Sequence, residues 1–267
     1  MQGPAATRVI HISDVHIGDA DRTVLQRARA AIADLEPDVI VLSGDVTQSG
    51  RRREYAEAAE FLTGMPAPIV AAPGNHDAPV FDPFVRITRP YRRFSRLPVV
   101  DRWFSIDKTT GVAAISTARA IQARLDWSQG VYRLQALRAA LTATAPCCWR
   151  IVVAHHPPVT HDGAWVRSDA RRGREALEVL SQHDCTLLLC GHAHGFKLVP
   201  LGPPSSAFIV APSLASGRPR DGGHGFVLYD LTPERVEISL RLTYGDDFVE
   251  TQRVELTARQ PAPSTNA

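Results

Sequence analysis

Asp14, Asp45 and Asn75 stand 31 and 30 positions apart, and each closes a short apolar run. The runs TRVIHIS (7–13), PDVIVLSGD (37–45) and APIVAAPGNHD (67–77) read as strands. Between them, DRTVLQRARAAIADLE (21–36) and RRREYAEAAEFLTG (51–64) carry helical periodicity. An interval of about thirty residues is one βαβ unit, whose crossover is right-handed and whose strands are parallel. Successive strands of this kind deliver their terminal side chains to one sheet edge, where ligands of open α/β sheets collect.

The remaining pattern predicts an α/β chain with more than one sheet. Residues 83–102 are broken by prolines and crowded with arginine, which predicts irregular helix and loop. WFSID and GVAAIST form a hairpin pattern about KTTG, followed by a helix over 132–144, a strand over 149–155, a helix over 171–183 and a strand over 185–191. From residue 195 onward, apolar and polar residues alternate between glycine and proline turns, as antiparallel strands added to a second sheet would. The expected organisation is a single domain over 1–255, with an arginine-rich insert at about 80–103 and a disordered tail over 256–267.

Composition narrows the function classes. A net charge of +2 does not support an extensive nucleic-acid track, so nucleic acid is not the expected partner. No apolar run reaches the ~18 residues of a membrane span. The four cysteines, Cys147, Cys148, Cys185 and Cys190, show no CxxC spacing, and residues 1–13 lack a secretory leader pattern; both features favour a reducing cytoplasm. Lys108 and Lys197 are the only lysines among 30 basic residues, a skew that reflects genome composition rather than function.

Five strand ends carry metal-capable side chains: SDVH (Asp14, His16), SGD (Asp45), GNHD (Asn75, His76), HHPP (His155, His156) and GHAH (His192, His194). Taken singly, an aspartate after a strand is usually a helix cap or turn former. Coincidence at five ends is much harder to credit. Carboxylates, imidazoles and one carboxamide, without thiolate, suit Mn, Fe, Zn or Co. Seven ligands drawn from these nine residues exceed one tetrahedral site; two ions sharing a carboxylate would use all seven, and two-metal sites serve in-line displacement at phosphorus. His11, inside the first strand, reads as a packed residue.

These motifs, D-x-H, GD, GNHD, H-x-P and GHxH, in this order over residues 14–194, resemble the signature of the calcineurin-like metallophosphoesterases. The GDVTQSG, GNHD and HHPP contexts are most similar to bacterial class III cyclic-nucleotide phosphodiesterases and glycerophosphodiesterase-like enzymes. The resemblance implies a four-layer αββα sandwich, two mixed β-sheets flanked by helices. It also implies two metals: one held by Asp14, His16, Asp45 and His194, the other by Asp45, Asn75, His155 and His192. Asp45 would bridge, and His156, beside the ligand His155, would touch substrate.

The reaction so implied is hydrolysis of a phosphoester by a metal-activated hydroxide, with His76 protonating the leaving oxygen or bonding a phosphoryl oxygen. Asp77 would orient His76 or cap the turn, with the cap preferred. Small diesters, 3',5'-cyclic nucleotides foremost, are the expected substrate. The alternatives are a nucleotide-linked lipid pyrophosphate, a monoester or nucleic acid, and, in another class, a non-catalytic scaffold. Arg86, Arg89, Arg92, Arg93, Arg96 and Arg102, interleaved with Tyr91, Phe94 and Trp103, are either specificity elements or a solvated face packed on the domain. An unpaired edge at the C-terminal strands would allow a homodimer.

Overall fold

The computed structural model describes residues 6–100, 103–106, 109–121, 128–160, 170–220 and 223–258. The first half of the chain forms β1 (Thr7–Ile12), α1 (Arg22–Asp34), β2 (Val39–Leu42), α2 (Arg52–Thr63) and β3 (Ile69–Ala71). β1 and β2 run parallel, as do β2 and β3, and Ile12, Leu42 and Ala71 are in register across them. The three strands therefore stop level with one another. Asp21 starts α1 by accepting the amides of Thr23 and Val24 at 2.8 and 3.2 Å, and Glu54 anchors the start of α2 by accepting the Ser49 and Arg51 amides.

The insert holds α3 (Pro83–Thr88) and a 3-10 turn at Phe94–Arg96. After it come β4 (Trp103–Ser105), β5 (Thr110–Ala114), α4 (Leu134–Ala143), β6 (Trp149–Val153), α5 (Gly173–Leu180) and β7 (Thr186–Cys190). β4 and β5 make the expected antiparallel pair, while β5, β6 and β7 are parallel neighbours. The chain ends in β8 (Lys197–Pro200), β9 (Ala207–Val210), β10 (Gly225–Leu231), β11 (Arg235–Tyr244) and β12 (Asp247–Thr257).

Two six-stranded sheets result, in the orders β12-β11-β10-β1-β2-β3 and β4-β5-β6-β7-β9-β8. The late strands were expected in the second sheet, and this is corrected in two respects. β10 pairs antiparallel with β1, so β10, β11 and β12 extend the first sheet; β9 joins the second sheet parallel to β7. β10 is buried along nearly its whole length, which requires a central position, and the open side of β1 provides one. β12 continues to Thr257 at the sheet edge, and the Ala258 amide bonds the Glu234 carbonyl; the ordered chain thus passes the boundary expected at 255, and residues 259–267 lie outside the described residues.

Strand alternation sorts the apolar residues into three layers. Val9, Val41 and Val70 from the first sheet meet Val112, Val153 and Leu189 from the second. Ile10, Ile12, Ile40 and Leu42 point the other way, onto Ala28 and Ile32 of α1 and Ala58 and Leu62 of α2. Val152, Leu188 and Phe208 pack on Leu137 and Leu141 of α4 and Val179 and Leu180 of α5. The architecture is the four-layer αββα sandwich. Each fully buried aliphatic side chain stabilises it by about 1.5–3 kcal/mol before the cost of chain ordering.

Candidate metal centre

Past the level strand ends the backbone bends sharply. Among the described residues eight non-glycine positions have φ in the left-handed region, and five of them are Asp14 (51°), His16 (52°), Asp45 (51°), His192 (71°) and His194 (60°). Such conformations cost about 1–3 kcal/mol each and persist where surrounding bonds enforce them. Here the Asp14 and His16 amides bond the Gly44 and Asp45 carbonyls at 3.1 and 3.0 Å, and the Gly191 amide bonds the His155 carbonyl at 2.9 Å. The His192 amide donates to Asp14 Oδ2 at 2.9 Å, and Ser213 Oγ donates to the Asp14 carbonyl at 2.7 Å; both join segments on either side of the sheet interface.

These bends bring the seven sequence-predicted ligands together. Asp14 Oδ1 lies 3.3 Å from His194 Nε2 and 3.7 Å from His16 Nε2, and those two ring nitrogens are 3.2 Å apart. Asp45 Oδ2 lies 3.3 Å from His155 Nε2 and 3.7 Å from His16 Nε2. Asn75 Oδ1 is 3.2 Å from His155 Nε2. The rings of His155 and His192 stand 5.1 Å apart, edge to face. Four sets of ligand atoms, those of Asp14, His16 and His194, of His16, Asp45 and His76, of Asp14, Asp45 and His155, and of His155, His156 and His192, each lie within 4.8 Å of one another. Asp45 Oδ2 stands between the two halves.

The donor set fits divalent cations. Asp14 Oδ1 and His16 Nδ1 are buried without a hydrogen-bond partner among the described residues, a costly state for polar atoms unless something else satisfies them. His155 Nδ1 bonds the Ser43 carbonyl at 2.7 Å, which fixes a proton there and turns Nε2 toward Asp45 and Asn75. Burial opposes the charge of Asp14, yet the adjacent His194 and His16 rings hold its carboxyl well below the usual range. Burial likewise opposes the charge of His155, yet Asp45 and Asp14 push it up to about 9. Burial and the neighbouring His155 lower His192 to about 4, so its lone pair is available at neutral pH. The field of the centre favours added positive charge. Cys190 takes no part: its thiol bonds the His156 carbonyl, and burial pushes its pKa up.

His76 sits beside this group, its ring edge-on to His16 at 4.9 Å. Its Nδ1 bonds the Gln48 carbonyl at 2.7 Å, so Gln48 and not Asp77 orients the ring. Asp77 is the cap: its two oxygens accept the Thr47 and Gly74 amides at 3.0 and 2.8 Å. His156, expected against substrate, has both ring nitrogens engaged, Nδ1 by Thr117 Oγ1 at 2.9 Å and Nε2 by the Ser128 carbonyl at 2.8 Å. It offers substrate neither nitrogen and acts as a buried post behind His155 and His192. His11 is packed as expected, its Nε2 on Ser43 Oγ at 2.8 Å.

Residues outside the motif set also shape the centre. Ser13 Oγ donates to Asp14 Oδ2 at 2.5 Å, and Thr117 buckles His156. Their sequence signal is slight. The motif glycines are explained by close approach: a Cβ on Gly74 would lie 2.1 Å from Asp45 Oδ1, and one on Gly191 would lie 1.8 Å from Ser13 Oγ. In the insert, Arg86 is buried and spent on the carbonyls of Ala120, Ala78 and Pro79, and Arg93 bonds Gly50 O and Asp82. Phe94 and Tyr91 pack on the first core. Arg102 lies outside the described residues.

Comparison with known proteins shows the family. Residues 7–196 match the family model described as calcineurin-like phosphoesterase. The chain is 29% identical over 202 residues to a probable cyclic nucleotide phosphodiesterase of a Synechococcus species, covering 70% of this chain and 72% of that one. It is 24% identical over 210 residues to the 3',5'-cyclic adenosine monophosphate phosphodiesterase CpdA of Escherichia coli, covering 73% and 72%. Among solved structures, a dimetal phosphatase from Danio rerio superposes with a TM-score of 0.67 at 15% identity, covering 96% of this chain and 100% of that one.

Proposed function

This chain belongs to the calcineurin-like phosphoesterase family of metal-dependent phosphoester hydrolases, and we propose that it hydrolyses small phosphodiesters, 3',5'-cyclic nucleotides foremost, at a pair of metal ions. The observation that carries the reading is the convergence of Asp14, His16, Asp45, Asn75, His155, His192 and His194 around Asp45 Oδ2. Asp14, His16, Asp45 and His194 would hold one ion, and Asp45, Asn75, His155 and His192 the other. The all-oxygen-and-nitrogen set suits Mn, Fe, Zn or Co. When bound, such a pair supplies a water of lowered pKa as nucleophile and neutralises charge on phosphoryl oxygens.

The chain's own residues divide the remaining work. Asn75 contributes an oxygen without a charge, which keeps the rim open to an anionic ester. His76, held at Nδ1 by the Gln48 carbonyl, leaves Nε2 as its working atom. A proton on Nε2 passes to the departing oxygen as the bond to phosphorus breaks; a positioned acid of this kind contributes about 10²–10⁴-fold. The Ser43 and Gln48 carbonyls fix the two rings, so little reorganisation is needed during turnover.

Support for a diester substrate comes from the relatives named as cyclic nucleotide phosphodiesterases and from one named glycerophosphodiester phosphodiesterase in Enterobacter lignolyticus. The test pairs metal analysis with hydrolysis of bis(4-nitrophenyl) phosphate, 4-nitrophenyl phosphate and a panel of cyclic nucleotides. Two equivalents of metal with faster cleavage of the diester are expected. Cleavage of the monoester alone would overturn the substrate class, and a single metal at full activity would overturn the dinuclear centre.

A further inference from the structure

Seven large apolar side chains are exposed among the described residues, and five of them belong to one region: Val80, Phe81, Phe84 and Ile87 of the insert, and Ile121 beside it. Phe81, Phe84 and Ile87, spaced three apart through α3 and its leading residues, are 67%, 75% and 65% exposed. Scattered exposed apolar residues are ordinary; a group of this size is a contact surface. It is also rigidly held. The buried Arg86 guanidinium ties α3 to the carbonyls of Ala78, Pro79 and Ala120, the last next to Ile121.

Charge says what covers the surface. Residues 80–100 contain five arginines and one acid, Asp82, against a balance of +2 for the whole chain. Asp82 is paired with Arg93. The Arg51 guanidinium lies 4.3 Å above the Phe81 ring, and Arg89 is exposed at the end of α3. Arg52, Arg92, Arg93 and Arg96 line a hollow of about 420 Å³ between α2 and the insert, with Val85 of α3 in its wall. A soluble polyanion has no use for three exposed apolar side chains, and an apolar protein partner has none for so many cations. An anionic bilayer uses both, taking aromatic and aliphatic groups at the acyl boundary and arginines on its phosphates.

We propose that the insert tip is an interfacial docking element for an anionic lipid bilayer, seating Phe81, Phe84 and Ile87 at headgroup depth with Arg51, Arg89, Arg92 and Arg96 around them. Arg86 links this tip to Ala78, one residue beyond the GNHD loop, so docking sets the metal centre beside the membrane surface. The proposal does not depend on which phosphoester is cleaved.

The test is cosedimentation of the full chain with vesicles of phosphatidylcholine alone and of phosphatidylcholine with phosphatidylglycerol. Binding to the anionic vesicles, weakened by salt, is expected. F84S/I87S should lower the partition coefficient tenfold or more, and R92A and R96A by about fivefold each. All of these variants should keep wild-type hydrolysis of a soluble chromogenic ester, which reports an intact fold. Absence of binding to anionic vesicles, or variants that bind as wild type does, overturns the proposal. A concentration-dependent dimer in buffer that F84S/I87S dissolves would assign the face to a second copy and also overturn it.

Discussion

The backbone amide of His76 donates to Asp45 Oδ1 at 2.9 Å, while Oδ2 of the same carboxylate faces His155 and His16. One side chain therefore stands where the proposed pair of metal ions would be shared and also fixes the main chain of His76, the residue proposed to protonate the leaving group. The two duties are separable by substitution. Asp45→Asn removes the charge and keeps an oxygen that can accept the His76 amide; Asp45→Ala removes both. Both variants should lose at least one metal equivalent by elemental analysis, with activity falling in step, and, compared with the metal-free wild type, only Asp45→Ala should disturb the His76 backbone amide resonance in an NMR spectrum. Two full metal equivalents in either variant would refute a bridging role.

His76→Gln should retain both metals and lose about 10²–10⁴-fold in kcat on substrates with alkoxide leaving groups. The size of the loss should depend on the leaving group. A 4-nitrophenolate departs without a proton, so the variant should approach wild type on that ester and fall behind as the leaving-group pKa rises. A loss independent of the leaving group would show that His76 binds a phosphoryl oxygen instead of supplying a proton.

Gly191→Ala tests the packing that aims Asp14. The added methyl would fall 1.8 Å from Ser13 Oγ and 2.5 Å from Asp14 Oδ2, so the carboxylate or the GHAH loop must shift. Overpacking of this kind costs about 1–3 kcal/mol. The variant should melt earlier and bind metal more weakly in a competition titration with a chelator. Wild-type metal affinity would mean that the loop absorbs the methyl without moving its histidines.

The site was more legible in the sequence than the fold around it, for a physical reason. A ligand needs a particular side chain at a strand end, and βαβ spacing places that end, so the sequence alone puts Asp14, Asp45 and Asn75 at one rim. Partners that act through the backbone leave no such trace. The Ser43 and Gln48 carbonyls orient His155 and His76, and any residue type would supply them. His156 shows the opposite failure: its position in HHPP invites a role at the substrate, but Thr117 and Ser128 come from chain segments whose approach no local pattern announces. Alternation identified the late strands but could not choose their sheet, because alternation specifies a buried face and not a neighbour. The clue was the continuous apolar run FVLY in β10, which demands cover on both faces and found it beside β1.

Acid stability gives a test of the buried floor beneath the site. His11 is fully buried against Ser43 and Tyr229, and burial lowers its pKa to about 3 against a weaker opposing pull from Asp14. In the unfolded chain the same imidazole titrates near ~6.5. Below that pH the unfolded chain binds a proton that the folded chain refuses, so stability falls as pH is lowered from about 6.5 toward about 3, by up to about 1.4 kcal/mol per pH unit for this group. His156, lowered by burial first and by His155 and His192 next, steepens the decline in the same direction. Asp77, raised to about 6 by burial and by Asp45, holds a proton in the folded chain over the same window and opposes this trend, so the His11 contribution is read by urea unfolding at stepped pH of the wild type against a variant. His11→Asn, which keeps a polar group for Ser43 and cannot take up the proton, should reduce the slope between pH ~6 and ~4 by about one proton. An unchanged slope in that variant would mean that His11 is protonated in the folded protein, and the neutral, closely packed floor described for the Asp14 strand would be refuted.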